Sequence, residues 1–280
     1  MLSAVTISLV PEARGGPFVF WNGLAEGCAQ AAALGFDAVE VFPRDASALE
    51  VSQLRTLLEQ HRLKLAAVGT GGGWVAHKLT LTQPDSDRRG RARDFIRGII
   101  DVAADFHAPA IVGSMQGRAE GEVTRDQALA WLGEGLSELG NYAERKGVPL
   151  LYEPLNRYET NLHSRLSDAA AWIRSLPTRN VRLLADLFHM NIEERELGAA
   201  LQSAGDLLGH VHFADSNRQA IGFGHTDPTA VIAVLRRLGY QGYLSAEILP
   251  LPTPEAAARQ AIAAFKHATQ ATPLASGSSC

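Results

Sequence analysis

The feature that most constrains the fold is an eightfold alternation of short aliphatic or β-branched runs with longer segments of helical periodicity. Such alternation is typical of a parallel sheet covered by helices. The sequence predicts strands at residues 4–10, 37–42, 63–68, 110–114, 149–153, 181–187, 210–214 and 243–248. Most are hydrophobic on both faces, as buried parallel strands are.

The segments between the predicted strands carry helix signals. Leucines recur every three or four residues from Leu129 to Leu139, which gives that segment one apolar face. Gly35, Gly147 and Gly239 each follow what would be the last helical turn before a strand. Helices therefore separate the strands.

The eight units fit one closed domain. No composition break divides the 280 residues, and an α/β barrel of about 250 residues is a common solution at this size. An open doubly wound sheet is the alternative, but residues 11–16 after the first strand lack its glycine-rich phosphate loop. We predict an α/β fold, a single-domain (β/α)8 TIM barrel over residues 1–272, followed by a flexible C-terminal tail over 273–280.

The composition of the chain excludes some classes of partner. A net charge of -4 offers no basic surface for nucleic acid. The N-terminus lacks the basic segment of a signal peptide, and no apolar run approaches the ~20 residues of a membrane span. Cys28 and Cys280 do not suggest a disulfide framework. We expect a cytoplasmic protein that binds neither nucleic acid nor membrane.

The candidate site lies at the carboxyl ends of the last four strands, where the working residues of a barrel stand. These strands end at Glu153, Asp186, His212 and Glu247. Singly, each carboxylate could cap a helix and the histidine could be a hydrogen-bonded core residue. Together, the four side chains would be costly to bury without a cation between them. The sequence predicts one divalent metal ion, and three oxygen donors favour Mn²⁺, with Mg²⁺, Co²⁺ or Zn²⁺ as alternatives.

Three runs carry a family resemblance: residues 153–161 (EPLNRYETN), 186–190 (DLFHM) and 210–218 (HVHFADSNR). The chain resembles the xylose-isomerase-like sugar phosphate isomerase/epimerase superfamily of TIM barrels, most strongly its ketose 3-epimerases of the tagatose/psicose type. The resemblance implies the same four metal ligands, with Glu153 and Glu247 also acting as the catalytic acid/base pair. It further implies that Glu159, His189 and Arg218 contact the substrate.

The chemistry of the residues agrees with this resemblance. Moving a proton on the carbon next to a ketone generates an enediolate, which a cation stabilises. Carboxylates on opposite faces of the sugar, here Glu153 and Glu247, can remove the proton from one side and return it from the other. The expected reaction is C3 epimerisation of a ketose or keto-sugar. His189 can donate to the oxygen that becomes negative.

Two loops add candidate substrate contacts. The glycine-rich run 69–74 would permit positive φ and a close-packed lid in which Trp74 covers the sugar, although a packed turn is the alternative. Gln116 and Arg118 could reach the distal end of a substrate larger than a simple ketose. Asp227 before Pro228 is expected to cap a helix, which makes the Gly222–Gly224 segment structural.

Other functions share parts of this pattern. Inosose dehydratase, inosose isomerase and hydroxypyruvate isomerase use the same ligand set and remain open. A non-catalytic sugar-binding barrel would need the cation but not paired glutamates. An apurinic endonuclease-like repair enzyme would need further ligands for three zinc ions and a basic surface. A homodimer or homotetramer is expected from the resemblance.

Overall fold

Eight parallel strands close into a barrel in chain order in the computed structural model, which describes residues 1–270. The strands are β1 Leu2–Ser8, β2 Ala38–Phe42, β3 Lys64–Gly69, β4 Ala110–Val112, β5 Leu150–Tyr152, β6 Val181–Asp186, β7 Leu208–His212 and β8 Tyr243–Ala246. β8 pairs with β1, with Leu2 opposite Tyr243, and this pairing closes the barrel. The predicted fold class is confirmed, while the predicted tail at 273–280 lies outside the described residues.

Ten α-helices within residues 1–270 connect and surround the strands. They are α1 Leu24–Leu34, α2 Val51–His61, α3 Gly72–Val75, α4 Ser86–Ala104, α5 Arg125–Arg145, α6 Leu166–Ser175, α7 Leu187–Glu193, α8 Leu197–Ala204, α9 Pro228–Arg237 and α10 Pro254–Gln270. Short 3-10 turns lie at Pro11–Ala13, Ala46–Ala48, Ser114–Gln116 and Gly205–Leu207. None of these helices is long and apolar enough to cross a bilayer.

The helix ends follow the local sequence. Gly35, Gly147 and Gly239 have positive φ after α1, α5 and α9, a conformation that glycine adopts without a Cβ clash. The carboxylate of Asp227 accepts from two backbone N–H groups at the start of α9, where Pro228 is the first residue. The predicted cap and helix stops are confirmed.

Polar side chains occupy the centre of the barrel. Glu40 of β2 contacts His210 and His212 of β7, although β2 pairs only with β1 and β3. The contact therefore crosses the interior of the barrel. All three residues have no solvent exposure. They form a buried polar layer inside the barrel, just below its carboxyl-terminal mouth.

Candidate metal centre and active site

Four donors meet at the carboxyl-terminal mouth of the barrel. Glu153, Asp186, His212 and Glu247 each offer one donor atom, and the four atoms lie within 4.8 Å of one another. His212 Nδ1 lies 3.5 Å from Glu153 Oε1, 3.3 Å from Asp186 Oδ2 and 3.4 Å from Glu247 Oε2. The structure brings together the four residues that the sequence predicted as ligands.

Asp186 has two separate contacts. Its Oδ1 accepts from the backbone N–H groups of Phe188 and His189 at 2.8 and 3.4 Å and so caps α7. Its Oδ2 faces His212. The helix-capping and ligand interpretations of this residue are therefore compatible, because each uses a different oxygen.

The orientation of His212 is set by Glu40. His212 Nε2 lies 3.0 Å from Glu40 Oε1, and His210 Nε2 lies 2.7 Å from Glu40 Oε2. Because a carboxylate only accepts, His212 carries a proton on Nε2, and in the neutral ring its Nδ1 lone pair faces the cluster. Burial would raise the pKa of Glu40, but the two imidazoles hold it below its usual range.

Glu40 and His210 were not among the predicted site residues. A signal was present in the sequence: Glu40 is the one charged residue in the apolar strand 38–42, and His210 shares a strand face with His212. A carboxylate in a strand buried on both faces needs a partner. The sequence pattern did not say which strand would supply it.

The cluster fits a divalent cation. Glu153 Oε1 is buried and has no hydrogen-bond partner among residues 1–270. A Cβ at position 113 would collide with Glu153 Oε2, so Gly113 leaves the room that this carboxylate occupies. Three carboxylates and one imidazole, with an unpartnered oxygen at their centre, are a donor set for a hard or borderline divalent ion.

The surroundings shift the pKa values of two carboxyl groups in the cluster in opposite directions. Burial raises the pKa of Glu153, and the neighbouring Glu247 raises it further. Burial acts in the same sense on Asp186, but Arg218 and His189 hold the pKa of Asp186 below its usual range. Two carboxylates of one cluster thus have different proton affinities.

His189 presents one ring nitrogen toward the centre. The Asn156 side chain accepts from Tyr158 N at 2.9 Å, which orients its amide so that Nδ2 lies 2.7 Å from His189 Nδ1 and donates to it. Arg218 Nη1 lies 3.2 Å from His189 Nε2, so a donor faces the ring at each of its two nitrogens. His189 Nε2 also lies 3.8 Å from Glu153 Oε1, so this edge of the ring faces the predicted acid/base group.

Arg218 reaches the cluster from the loop after β7. Its guanidinium contacts Glu247 Oε2, lies 3.4 Å from Asp186 Oδ2 and packs over the ring of Phe188 at 4.7 Å. The Asp215 carboxylate fixes this loop by accepting hydrogen bonds from backbone N–H groups of Ser216, Gly222, Gly224 and Thr226. The structural interpretation of the Gly222–Gly224 segment is consistent with these contacts.

A cavity of about 370 Å³ opens above the cluster. Glu153 and Glu247 both line it, whereas Asp186 and His212 lie beneath it at 1% and 0% exposure. Further predicted substrate contacts are on its wall: Trp74, Glu159, His189 and Arg218. The two predicted catalytic glutamates are therefore the members of the cluster that face the space a substrate would fill.

The remaining loop predictions have different outcomes. Trp74 lies in the short helix α3 and is 40% exposed on the cavity wall. The expectation of positive φ in this run is wrong: Gly69, Gly71, Gly72 and Gly73 all lack it. Close packing explains these glycines, since a Cβ at Gly72 would collide with backbone atoms of residues 43 and 44.

Gln116 lies away from the cavity and is fully buried. Its amide donates to the carbonyls of Gly113 and Glu153 at 3.0 and 2.9 Å, and its oxygen accepts from Tyr152 at 2.9 Å. It therefore holds the backbone that carries Glu153. Arg118 is exposed and lines an adjoining cavity.

Residues 28–268 match the family model described as the xylose isomerase-like TIM barrel. The chain belongs to the xylose isomerase-like TIM barrel family. This membership confirms the resemblance inferred from the three sequence runs.

Several named proteins are similar to this chain. It is 28% identical over 243 residues to the L-ribulose 3-epimerase of Methylomonas sp. (strain DH-1), with 83% of each chain covered. It is 30% identical over 223 residues to the 3-dehydro-D-guloside 4-epimerase of Escherichia coli K12, covering 75% of this chain and 81% of that one. The solved structure of the Escherichia coli 3-keto-D-glucoside 4-epimerase has a TM-score of 0.80 at 25% identity, covering 95% of this chain and 100% of that one. The predicted enzyme class, a sugar epimerase or isomerase, is confirmed by these relatives.

Proposed function

We propose that this protein is a metal-dependent sugar epimerase that inverts a carbon next to a ketone. The observation that carries the proposal is the position of Glu153 and Glu247, which belong to the four-donor cluster and also line the cavity. A purely structural metal site needs no carboxylate facing a ligand cavity. Two such groups are what stepwise removal and return of a proton requires.

The residues that would hold the metal are Glu153, Asp186, His212 and Glu247. When bound, a divalent cation would polarise the substrate carbonyl and stabilise the negative charge that develops beside it. Mn²⁺ is the ion we expect first, because the set is rich in oxygen, and Mg²⁺, Co²⁺ and Zn²⁺ are the alternatives. Metal analysis of the purified protein tests this choice.

The protein's own groups supply the proton transfers. One of Glu153 and Glu247 takes the proton from the carbon next to the ketone, and the other returns a proton to the opposite face. The substrate's configuration decides which glutamate acts first, and the reverse reaction exchanges the roles. His189 lines the cavity with its Nε2 toward Glu153, and when Nε2 carries the proton it can donate to the ketone oxygen.

Other cavity residues orient the sugar. Arg218 offers a planar fork of donors, and Glu159 offers an acceptor whose position is set by a 3.1 Å hydrogen bond from Asn156 Nδ2. Trp74 lies on the rim, where its ring can cover the sugar and limit access of water. These roles account for the predicted substrate contacts other than Gln116 and Arg118.

The substrate class we propose is a ketose or a keto-sugar. The relatives are named for epimerisation at C3 of ketoses and at C4 of keto-glycosides, and in each case the inverted carbon adjoins a ketone. The same chemistry serves both, because the proton removed is acidified by the neighbouring carbonyl.

A homodimer or homotetramer and a cytoplasmic location stay predictions, of which the first is tested by light scattering.

The test is NMR of candidate ketoses and keto-glycosides incubated in deuterated water with protein and Mn²⁺. An epimerase incorporates deuterium at the carbon next to the ketone and yields a new diastereomer. Glu153→Gln and Glu247→Gln should each lower the rate about 10²-fold or more even with excess Mn²⁺, since each removes one proton-transfer group. Glu50→Gln, a change at the exposed cap of α2, is the matched control and should leave the rate unchanged.

Three results would count against the proposal. Loss of water from the substrate would indicate a dehydratase. Binding of sugar without any C–H exchange would indicate a binding protein. Full activity in either glutamine variant would remove the paired-carboxylate mechanism.

A further inference from the structure

A second cavity of about 290 Å³ adjoins the first. Trp74, Ser114, Leu155 and Glu159 line both cavities, so the two share one wall. The first cavity alone is near the lower limit of ligand sites, which run from about 300 to 1,000 Å³. A ligand that extended past the shared wall would be larger than one sugar ring.

The outer wall of this second cavity is built to a fixed shape. Gly117 has positive φ, and a Cβ there would collide with Thr82 Oγ1. Thr82 Oγ1 in turn donates to the carbonyl of Arg118 at 3.2 Å. The next residue, Ala119, exchanges two hydrogen bonds with the Asn161 side chain at 2.9 and 2.8 Å. The loop after β4 is therefore tied to the loop after β5 before any ligand arrives, which lowers the entropy cost of binding.

The chemistry of this cavity suits a neutral group rich in hydroxyls. Arg118 is exposed and its side chain forms no ion pair or hydrogen bond with any of residues 1–270. Trp74 and Tyr158 present rings that are 40% and 76% exposed. Glu120 and Glu159 lie on the same wall and would repel a phosphate or carboxylate. The guanidinium donors, the carboxylate acceptors and the two aromatic rings together match a second sugar unit.

The second cavity also lies beside the reacting centre rather than within it. Trp74 and Glu159 stand at the shared wall, whereas Glu153 and Glu247 line only the first cavity. A group held in the second cavity is thus attached to the reacting sugar but is not itself transformed. Binding energy from such a remote group can orient the reacting carbon.

We propose that the second cavity is a subsite for a neutral glycosyl unit, so that the substrate is a keto-sugar joined by a glycosidic bond to a second sugar. This inference rests on the proposed epimerase function and narrows its substrate class. Arg118, Trp74 and Tyr158 contact the second unit, and Glu159 marks the junction. The free keto-sugar occupies the first cavity only.

The test compares two matched pairs of substrates, D-fructose with isomaltulose and 3-keto-D-glucose with 3-keto-maltose. Deuterium uptake next to the ketone gives kcat/KM for each compound. In at least one pair, kcat/KM of the wild type should favour the two-unit compound. Arg118→Ala should lower the ratio of two-unit to one-unit kcat/KM about tenfold, the effect of losing one charge-assisted hydrogen bond.

Arg237→Ala is the matched control, because Arg237 is an exposed arginine at the last turn of α9, outside both cavities. It should leave both members of each pair unchanged. Equal kcat/KM for one-unit and two-unit compounds, with no change of their ratio in Arg118→Ala, would overturn the subsite while leaving the epimerase proposal intact.

Absence of exchange with all four compounds would instead count against the epimerase function with these sugars. In that case, calorimetric titration of the protein with isomaltulose and with D-fructose tests the proposed subsite without requiring any reaction. Tighter binding of isomaltulose than of D-fructose to the wild type, lost in Arg118→Ala, supports it. Equal binding of the two sugars overturns it.

Discussion

Replacing Glu40 with glutamine isolates the contribution of a residue that lies outside both the four-donor cluster and the cavity. Glu40 accepts hydrogen bonds from His210 and His212 at 2.7 and 3.0 Å and has no solvent exposure. A glutamine side chain has the same shape but only one acceptor oxygen, and its NH₂ group is a donor. One of the two imidazoles must therefore lose its acceptor or move its proton to Nδ1.

The expected magnitude follows from His212. If its proton moves to Nδ1, this nitrogen can no longer be a ligand, and the ring is also less firmly oriented. Removing an orienting partner of a ligating histidine typically weakens metal binding about 10- to 100-fold. That range corresponds to about 1.4 to 2.8 kcal/mol. We expect Glu40→Gln to weaken Mn²⁺ binding within this range.

The assay is calorimetric titration of Mn²⁺ into metal-free protein, with circular dichroism to verify that the variant is folded. Asp37→Asn is the matched control: it makes the same carboxylate-to-amide change one residue before β2, where Asp37 accepts hydrogen bonds from Ser3. This variant should bind Mn²⁺ as the wild type does. A folded Glu40→Gln protein with wild-type Mn²⁺ affinity would refute the role assigned to Glu40.

Three further substitutions test other parts of the structure. Gly113→Ala places a methyl group against Glu153 Oε2 and should weaken Mn²⁺ binding about tenfold or more by calorimetry; unchanged affinity would contradict the packing argument. Asp215→Asn removes one oxygen from a carboxylate that accepts four backbone N–H groups, so we expect a loss of about 1–3 kcal/mol in urea unfolding and a higher KM as the Arg218 loop loosens. Burial lowers the pKa of His163 from 6.5 to about 4, so below pH 6.5 the unfolded chain binds a proton that the folded chain does not, and stability falls between pH 6.5 and 4. His163→Leu should make the free energy of unfolding, measured in urea at pH 6.5 and at pH 4, fall less between the two pH values than it does in the wild type. An unchanged pH dependence would contradict the role of His163.

The convergence of the four predicted ligands could be foreseen because it depends on topology more than on detail. In a parallel barrel every strand ends at the same mouth, so Glu153, Asp186, His212 and Glu247 converge wherever the exact strand ends fall. The prediction placed Glu153 inside its strand, whereas β5 ends one residue earlier at Tyr152. This shift did not matter, because Glu153 N still bonds Val112 O at 3.1 Å and the chain stays in register.

Features that depend on contacts between distant elements were not predictable. Glu40 is paired across the barrel interior, and no local pattern states which strands face each other there. Gln116 stands in a loop after β4, but its burial beneath the mouth depends on Tyr152 and on the backbone at Glu153. Sequence reasoning finds where a loop begins, and packing decides where its side chains point.

The roles that we propose divide between the two halves of the barrel, and this division has a consequence for how specificity can change. All four donors stand at the carboxyl ends of β5 to β8, whereas Trp74, Ser114 and Arg118 follow β3 and β4. Since the second cavity touches none of the four donors, substitutions of Trp74 and Arg118 can alter which sugar is accepted without disturbing the cluster, unlike a substitution of Gly113, which packs against Glu153 Oε2. Variation at these two positions should therefore change KM and substrate preference while Mn²⁺ affinity stays constant, and coupled changes in substrate preference and Mn²⁺ affinity would show that the second cavity and the cluster are not independent.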